Sequence, residues 1–366
     1  MTHPVHGELS FHLATPELEL NVTQRGGHLA PVIFHLPGGD VSPYSLSPWW
    51  PAEYPEVPPL LAVLRGDFFC LPFGGQVVGP PHGDPANAEW TEISRSDDSL
   101  RLVLHTRDSG ARIRKTIATR PCHHALYLEH QITHLEGSYS YGAHPTLDFS
   151  GLADGAGRVT VSPFHWASVY PGAFSNPAAG ETQCLAPGAV FTDLRQVPLA
   201  AGGTTDLTRY PARHGNDDLV MLAHFAATEV QPFAWTAAVF DTFVWISLKN
   251  PADFPSTLLW FSNGGRTAPP WNGRHLGRMG IEDVCSYFAE GVDSSRLDLL
   301  KPLGIPTTRD FQKNSVVNLR NIQAVVPVPV GFGAVARIVP HGEGAIKLTA
   351  ESGREIITSI DWNYLS

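Results

Sequence analysis

The chain has 366 residues, a formal net charge of −10 and few charged residues, 16% of the total. An acidic chain without a basic run repels phosphate backbones, so we expect no nucleic-acid partner. No stretch approaches 18 uninterrupted apolar residues, and the first residues lack a basic start followed by an apolar run. We therefore expect neither a membrane span nor a signal peptide.

Four cysteines are scattered along the chain without a CxxC pair: Cys70, Cys122, Cys184 and Cys285. A disulfide scaffold or a metal cage needs clustered cysteines, so we interpret these residues as buried free thiols of a cytoplasmic protein. We assign no metal and no cofactor.

Period-two alternation of apolar residues dominates the chain and predicts half-buried β-strands. Helical periodicity is scarce, and we predict short helices only over 282–290, closed by Gly291, and over 295–303. Without a βαβ rhythm, two stacked and largely antiparallel sheets fit best, which makes the fold class all-β. The clearest predicted strands are 99–105, 125–134, 158–161, 241–249, 257–261 and 334–339.

No low-complexity linker divides the chain, so we expect a single domain over residues 1–366. The Pro-rich segment 43–59 is the nearest to a break, but it holds Trp49 and Trp50 and is too aromatic for a free linker. We predict that it packs as a loop over one end of the sheets. The segment 316–362 is predicted to add further strands to the same sandwich.

Two histidines are candidates for chemistry. The Gly-rich stretch 65–84 brings Arg65, His82 and Asp84 to an apolar and aromatic loop, a composition that suits a pocket for hydroxyl groups. A turn-rich connection with surface polar residues is the alternative. Pro145 biases His144 toward extended backbone, and a rigidly held histidine can exchange protons near neutral pH. A purely structural histidine is the alternative there.

Two carboxylate pairs are further candidates. If Glu282 and Asp283 lie on a strand, they point to opposite faces and only one can face a pocket. Alternatively they lie in the first turn of a short helix, where the helix dipole favours them. Asp217 or Asp218 could accept hydrogen bonds from sugar hydroxyls, or could form an ordinary Asn-Asp turn.

Tryptophans are abundant, and pyranose rings stack on aromatic faces. Most are expected in the core and some at a sugar site, among Trp90, Trp166, Trp235, Trp245, Trp260 and Trp271.

The order of these motifs resembles the aldose 1-epimerase, or galactose mutarotase-like, family. The matching motifs are Pro81-His82-Gly83, His144-Pro145, Phe191-Thr192-Asp193-Leu194-Arg195, Gly215-Asn216-Asp217-Asp218 and Gly280-Ile281-Glu282. The resemblance implies a large antiparallel β-supersandwich with few short helices. It also implies a mutarotase that interconverts sugar anomers.

By this resemblance Glu282 is the general base on the anomeric hydroxyl and His144 the general acid on the ring oxygen. His82, Arg65 and either Asp218 or Asp217 would bind other hydroxyls. At neutral pH this chemistry leads us to expect that a nearby carboxylate raises the pKa of His144.

The chain departs from the family pattern in three places. Thr146-Leu147 stand where an aromatic pair is common, Asp283 stands where proline is common, and Arg65 lies in a Leu-Arg-Gly-Asp context. These departures leave open which sugar is bound and whether turnover is retained.

Other functions stay open at this point. Arg266, Arg274 and Arg278 allow a phosphorylated or acidic sugar, because guanidinium groups match such anions, or they are surface charges. A non-catalytic carbohydrate-binding protein on the same fold is the main alternative. A polysaccharide lyase needs a basic groove, which the net charge of −10 disfavours. We expect a small-molecule sugar as partner and a monomer or homodimer.

Overall fold

The computed structural model describes residues 2–366, and strands dominate it. The α-helices are α1 (Pro59–Val63) and α2 (Gly291–Arg296), and single 3-10 turns lie at Pro51–Glu53, Asp84–Ala86, Pro177–Ala179, Lys301–Leu303 and Trp362–Leu365. The strands are β1 (Thr2–Val5), β2 (Glu8–Ala14), β3 (Leu18–Thr23), β4 (Leu29–Leu36), β5 (Gly39–Val41), β6 (Phe69–Cys70), β7 (Thr91–Arg95), β8 (Ser99–His105), β9 (Arg112–Arg120), β10 (His123–Thr133), β11 (Gly137–Tyr139), β12 (Tyr141–Ala143), β13 (Thr146–Asp148), β14 (Gly157–Val161), β15 (Phe164–Val169), β16 (Val197–Pro198), β17 (Thr204–Thr205), β18 (Arg209–Tyr210), β19 (Asn216–His224), β20 (Ala234–Val239), β21 (Phe243–Lys249), β22 (Ser256–Asn263), β23 (Arg278–Cys285), β24 (Arg309–Phe311), β25 (Val316–Pro327), β26 (Val335–Pro340), β27 (Ala345–Ala350) and β28 (Glu355–Ser359).

Two large antiparallel sheets form the centre of the molecule. One has nine strands in the order β18-β14-β20-β21-β25-β10-β9-β8-β7, and the other has seven, β15-β19-β22-β23-β12-β6 with β13 beside β23. Apolar residues from both sheets share one core, including Leu126 of the nine-stranded sheet and Leu259 and Ile281 of the seven-stranded sheet. The predicted all-β class with stacked antiparallel sheets is confirmed.

Smaller sheets surround this centre. The five strands β1 to β5 form an N-terminal sheet whose apolar face joins the same core. Strands β26 to β28 form a separate three-stranded sheet, and its Ile338 and Leu348 pack with Ile246 and Ile322 on the other face of the nine-stranded sheet. The prediction that 316–362 extends the sandwich therefore holds only for β25, because the later strands form a layer of their own.

All six segments predicted as strands are strands, but the two predicted helices are misplaced. Residues 278–285 form β23, which pairs with β22 on one side and with β12 and β13 on the other. Pairing on both edges makes this segment a central strand, which leaves no helix at Glu282 and Asp283. The helix α2 begins at Gly291 and ends at Arg296, so it overlaps the second predicted helix by only two residues.

The Pro-rich segment packs, as predicted. Trp49 is buried, with its ring 5.2 Å from that of Trp271, and the hydroxyl of buried Tyr44 donates to Gln323 Oε1 at 2.6 Å. Among the aromatic side chains of the segment, Trp50 is the exposed one, with 53% of its surface accessible.

The cysteines are all free thiols, but only Cys70 and Cys285 are buried as predicted. Among residues 2–366, no helix has the length and apolar character needed to cross a bilayer.

A buried ion pair connects the two large sheets. Lys249 Nζ at the end of β21 lies 2.7 Å from Asp283 Oδ1 on β23, and both side chains are buried. Ser247 Oγ donates to Asp283 Oδ2 at 2.6 Å, and Thr257 Oγ1 donates to Oδ1 at 2.9 Å. The second carboxylate of the Glu282–Asp283 pair is therefore neutralised inside the core.

Replacing Lys249 by methionine should strongly destabilise the fold, because it leaves the Asp283 carboxylate buried without its cation. We expect the free energy of unfolding to fall by about 3–5 kcal/mol, measured by urea denaturation. The exposed Lys301, changed to methionine in the same way, is the control and should alter stability by less than about 0.5 kcal/mol. Equal stabilities of the two variants would contradict this role of Lys249.

Candidate active site

A cleft opens over the seven-stranded sheet. Segments far apart in sequence line it, so the fold rather than any local motif builds it. The lining residues comprise four ionisable side chains, two indoles and seven apolar side chains: His82, His144, Arg266 and Glu282; Trp260 and Trp271; and Leu60, Leu61, Leu64, Phe68, Phe174, Leu219 and Ala289.

Glu282 reaches the cleft because it lies in the central part of β23. Strand alternation directs it away from Asp283, as predicted for a strand. Gly280 lies two residues earlier on the same face, where a Cβ atom would come within 2.5 Å of Glu282 Oε1. The glycine of the Gly-Ile-Glu motif thus leaves room for the carboxyl group. Burial raises the pKa of Glu282 to about 8, although Arg266 opposes this shift.

His144 is held between β12 and β13 by contacts on its backbone and its ring. Its backbone N–H donates to Asp67 Oδ1 and to the carbonyl of Phe68, each at 3.0 Å. The imidazole stacks on the Phe68 ring with centroids 4.4 Å apart. Burial lowers the pKa of His144 well below its usual range, and His82 adds to this effect. The prediction of a raised pKa is therefore wrong, since desolvation outweighs the nearby carboxylate.

The two predicted catalytic groups touch each other. His144 Nε2 lies 3.2 Å from Glu282 Oε1, and both side chains are buried. Because burial disfavours the charged form of each group, the pair holds a single proton near neutral pH. That proton lies between an acid and a base that can exchange it across one hydrogen bond.

His82 lies beside this pair, as its motif predicts. Its ring centroid is 5.2 Å from that of His144, with the planes nearly perpendicular. The backbone N–H of Gly74 donates to His82 Nδ1 at 3.3 Å, so in the neutral ring Nε2 carries the proton. Burial lowers the pKa of His82 to about 4, with a smaller contribution from Arg266, so this ring is a neutral donor.

Arg266 is the fourth ionisable group of the cleft. Its guanidinium lies over the rings of Phe174, Trp260 and Trp271, at 4.8, 5.5 and 5.2 Å from their centroids. Its Nε is 3.5 Å from Asp217 Oδ2, so a buried carboxylate already partners the cation.

The other two arginines of the predicted anion site lie elsewhere. Arg274 pairs with Glu53 at 3.3 Å, and Arg278 pairs with Asp148 at 2.6 Å. The structure thus brings one of the three arginines to the cleft.

Arg65 does not line the cleft, although the family resemblance implies that it binds a hydroxyl. Its side chain is buried and donates to the backbone carbonyls of Val63, Val5 and His6 at 2.9–3.0 Å. These bonds occupy the guanidinium and fix the N-terminal strand β1 to the Gly-rich stretch.

The two aspartates of β19 are also buried away from the cleft. Asp218 accepts hydrogen bonds from the backbone N–H groups of Cys184 and Leu185, at 3.0 and 2.9 Å. Asp217 accepts from Ser262 Oγ at 2.9 Å, besides contacting Arg266. Their role is to shape the loops around the cleft, and Asp217 reaches it only through Arg266.

Several cleft residues have no sequence signal that singles them out. Trp260 and Trp271 are among the tryptophans considered for a sugar site, whereas Phe68 and the leucines of α1 read as ordinary core residues. Asp67, which holds the backbone of His144, was also missed, although its place directly after Arg65-Gly66 in the Gly-rich stretch is a signal that could have singled it out.

Comparison with solved structures finds the same fold in several proteins. One is a galactose mutarotase-related enzyme from Lactobacillus acidophilus, with a TM-score of 0.56, 11% identity, and coverage of 87% of this chain and 98% of that one. Another is a galactose mutarotase-like protein from Lactobacillus casei, with a TM-score of 0.55, 13% identity, and coverage of 87% and 100%. A third is an aldose epimerase homologue from C. elegans, with a TM-score of 0.56, 12% identity, and coverage of 90% of this chain and 100% of that one.

No protein-family model and no curated protein sequence matches the chain. The likeness is therefore one of fold, and it extends over most of this chain and nearly all of each neighbour. It agrees with the order of motifs that the sequence presents. The chain has the galactose mutarotase-like fold.

Proposed function

We propose that the chain is an aldose mutarotase, which interconverts the α and β anomers of a sugar bound in the cleft. The contact between His144 Nε2 and Glu282 Oε1 at 3.2 Å carries this proposal. A desolvated acid and base in one cleft, with one proton between them, is what ring opening of a sugar requires.

In the proposed reaction Glu282 and His144 exchange protons with the sugar and return to their starting state. Transfer of the shared proton from Glu282 to His144 gives a carboxylate and an imidazolium. The carboxylate takes the proton of the anomeric hydroxyl while the imidazolium protonates the ring oxygen, and the bond between the ring oxygen and C1 breaks. The open-chain aldehyde rotates about the C1–C2 bond. Closure by the reverse transfers gives the other anomer and restores the pair.

Direct contact between the two groups suits this chemistry. The anomeric and ring oxygens are bonded to the same carbon, so neighbouring catalytic groups can serve both. His82 supports the proposal as a neutral N–H donor beside the pair, and the faces of Trp260 and Trp271 offer surfaces for a pyranose ring.

Other observations support the remaining parts of the proposal. The structural neighbours include proteins described as mutarotase-like and as an aldose epimerase homologue. We propose a cytoplasmic location because all four cysteines are free thiols, which a reducing compartment maintains.

Glu282→Gln should remove the base and slow anomer exchange. We expect a fall of at least about 100-fold in the rate of polarimetric decay of freshly dissolved α-aldoses, because general acid–base groups contribute about 10²–10⁴-fold. The exposed Glu351, changed to glutamine, is the matched control and should keep the native rate.

Two outcomes of this experiment would count against the proposal. An undiminished rate in Glu282→Gln would exclude Glu282 as the base. Saturable sugar binding without acceleration by the native protein would favour the non-catalytic carbohydrate-binding alternative.

The pH dependence of exchange should be bell-shaped, because the reaction needs a pair with one proton. Above the pKa of Glu282, about 8, the pair loses that proton and the acid is absent. Below the lowered pKa of His144 the pair gains a second proton and the base is absent. The check is kcat/KM for one aldose between about pH 4 and 10, and a flat profile would contradict the shared proton.

A further inference from the structure

One wall of the cleft offers a sugar no side-chain hydrogen bond. Leu60, Leu61 and Leu64, here called the leucine wall, come from α1 and the residue that follows it. Leu219 of β19 adds a fourth aliphatic side chain to the lining. The four ionisable side chains and two indoles of the cleft all come from other segments.

The backbone of the leucine wall is also engaged. The N–H of Leu60 donates to Asn87 Oδ1 at 3.0 Å, and the carbonyl of Leu61 accepts from Trp49 Nε1 at 2.8 Å. The carbonyl of Leu64 accepts from the N–H of Ser47 at 3.1 Å. Internal partners therefore occupy these three backbone groups, which a sugar hydroxyl could otherwise use on this wall.

This arrangement limits which substituents of a sugar fit. The anomeric and ring oxygens must face His144 and Glu282, so the leucine wall faces another part of the sugar. A hydroxyl placed there loses its hydrogen bonds to water and gains none from the protein. A methyl group in the same place removes apolar surface from water and loses no hydrogen bond.

We propose that the cleft selects 6-deoxyhexoses over the corresponding hexoses, an inference that rests on the proposed mutarotase function. The 6-deoxyhexoses carry a methyl group where hexoses carry a hydroxymethyl group, and that methyl group packs on the leucine wall.

Matched pairs of sugars test this selection on the native protein. The pairs are D-fucose with D-galactose and D-quinovose with D-glucose, and each pair differs only in the hydroxyl at C6. Exchange NMR between the anomers should give a kcat/KM about 10- to 100-fold higher for each 6-deoxy sugar.

The possible outcomes separate the two proposals. Equal or faster exchange of the hexoses would overturn the selectivity and leave the mutarotase function standing. No accelerated exchange of any of the four sugars would overturn the mutarotase function itself, and the selectivity with it.

A polar substitution in the leucine wall tests the contact directly. Leu61 is only half-buried, so Leu61→Asn should fold, and it supplies the donor and acceptor that a C6 hydroxyl lacks. We expect the preference for D-fucose over D-galactose to fall about tenfold. Leu299→Asn, at an exposed leucine outside the cleft, should leave the preference unchanged. Circular dichroism verifies that Leu61→Asn is folded. An unchanged preference in the folded variant would overturn the proposal that the leucine wall contacts the substituent at C6.

Discussion

Strand β23 carries two adjacent carboxyl groups that are both buried, and strand alternation sends them into different surroundings. Asp283 meets Lys249 and two hydroxyls inside the core, so its charge is compensated. Glu282 meets the neutral ring of His144 at 3.2 Å, and burial raises its pKa to about 8. The same strand therefore makes one carboxylate structural and leaves the other able to exchange a proton near neutral pH.

The surroundings of the cleft hold this pair in place. Asp67 fixes the backbone of His144, Phe68 fixes its ring plane, and Gly280 leaves space for the carboxyl group of Glu282. Arg266, held by Asp217 among three aromatic rings, opposes the rise in the pKa of Glu282 and so keeps it within reach of neutral pH. The proposed chemistry and the proposed selectivity depend on different segments, since the leucine wall carries no ionisable group.

Much of the fold could be predicted from the sequence, because alternation of apolar residues reports directly on half-buried strands such as β8 and β10. The same rule predicted that the side chains of Glu282 and Asp283 point to opposite faces of a strand. The order of the motifs identified His144 and His82 as candidate site residues. Arg65, Asp217 and Asp218 were the harder cases. A sequence shows that a polar side chain needs partners, but not whether backbone or ligand atoms provide them. The leucine wall lies in a short apolar run, which has no periodicity to distinguish lining from core.

The most direct test of the central claim is a double-mutant cycle on the proposed catalytic pair, with anomer exchange measured for Glu282→Gln, His144→Gln and the double variant. If the two groups share one proton and act as a unit, each single change abolishes the same step. The account then predicts that the double variant is no slower than either single variant. Independent losses that multiply in the double variant, or native rates in all three, would contradict it.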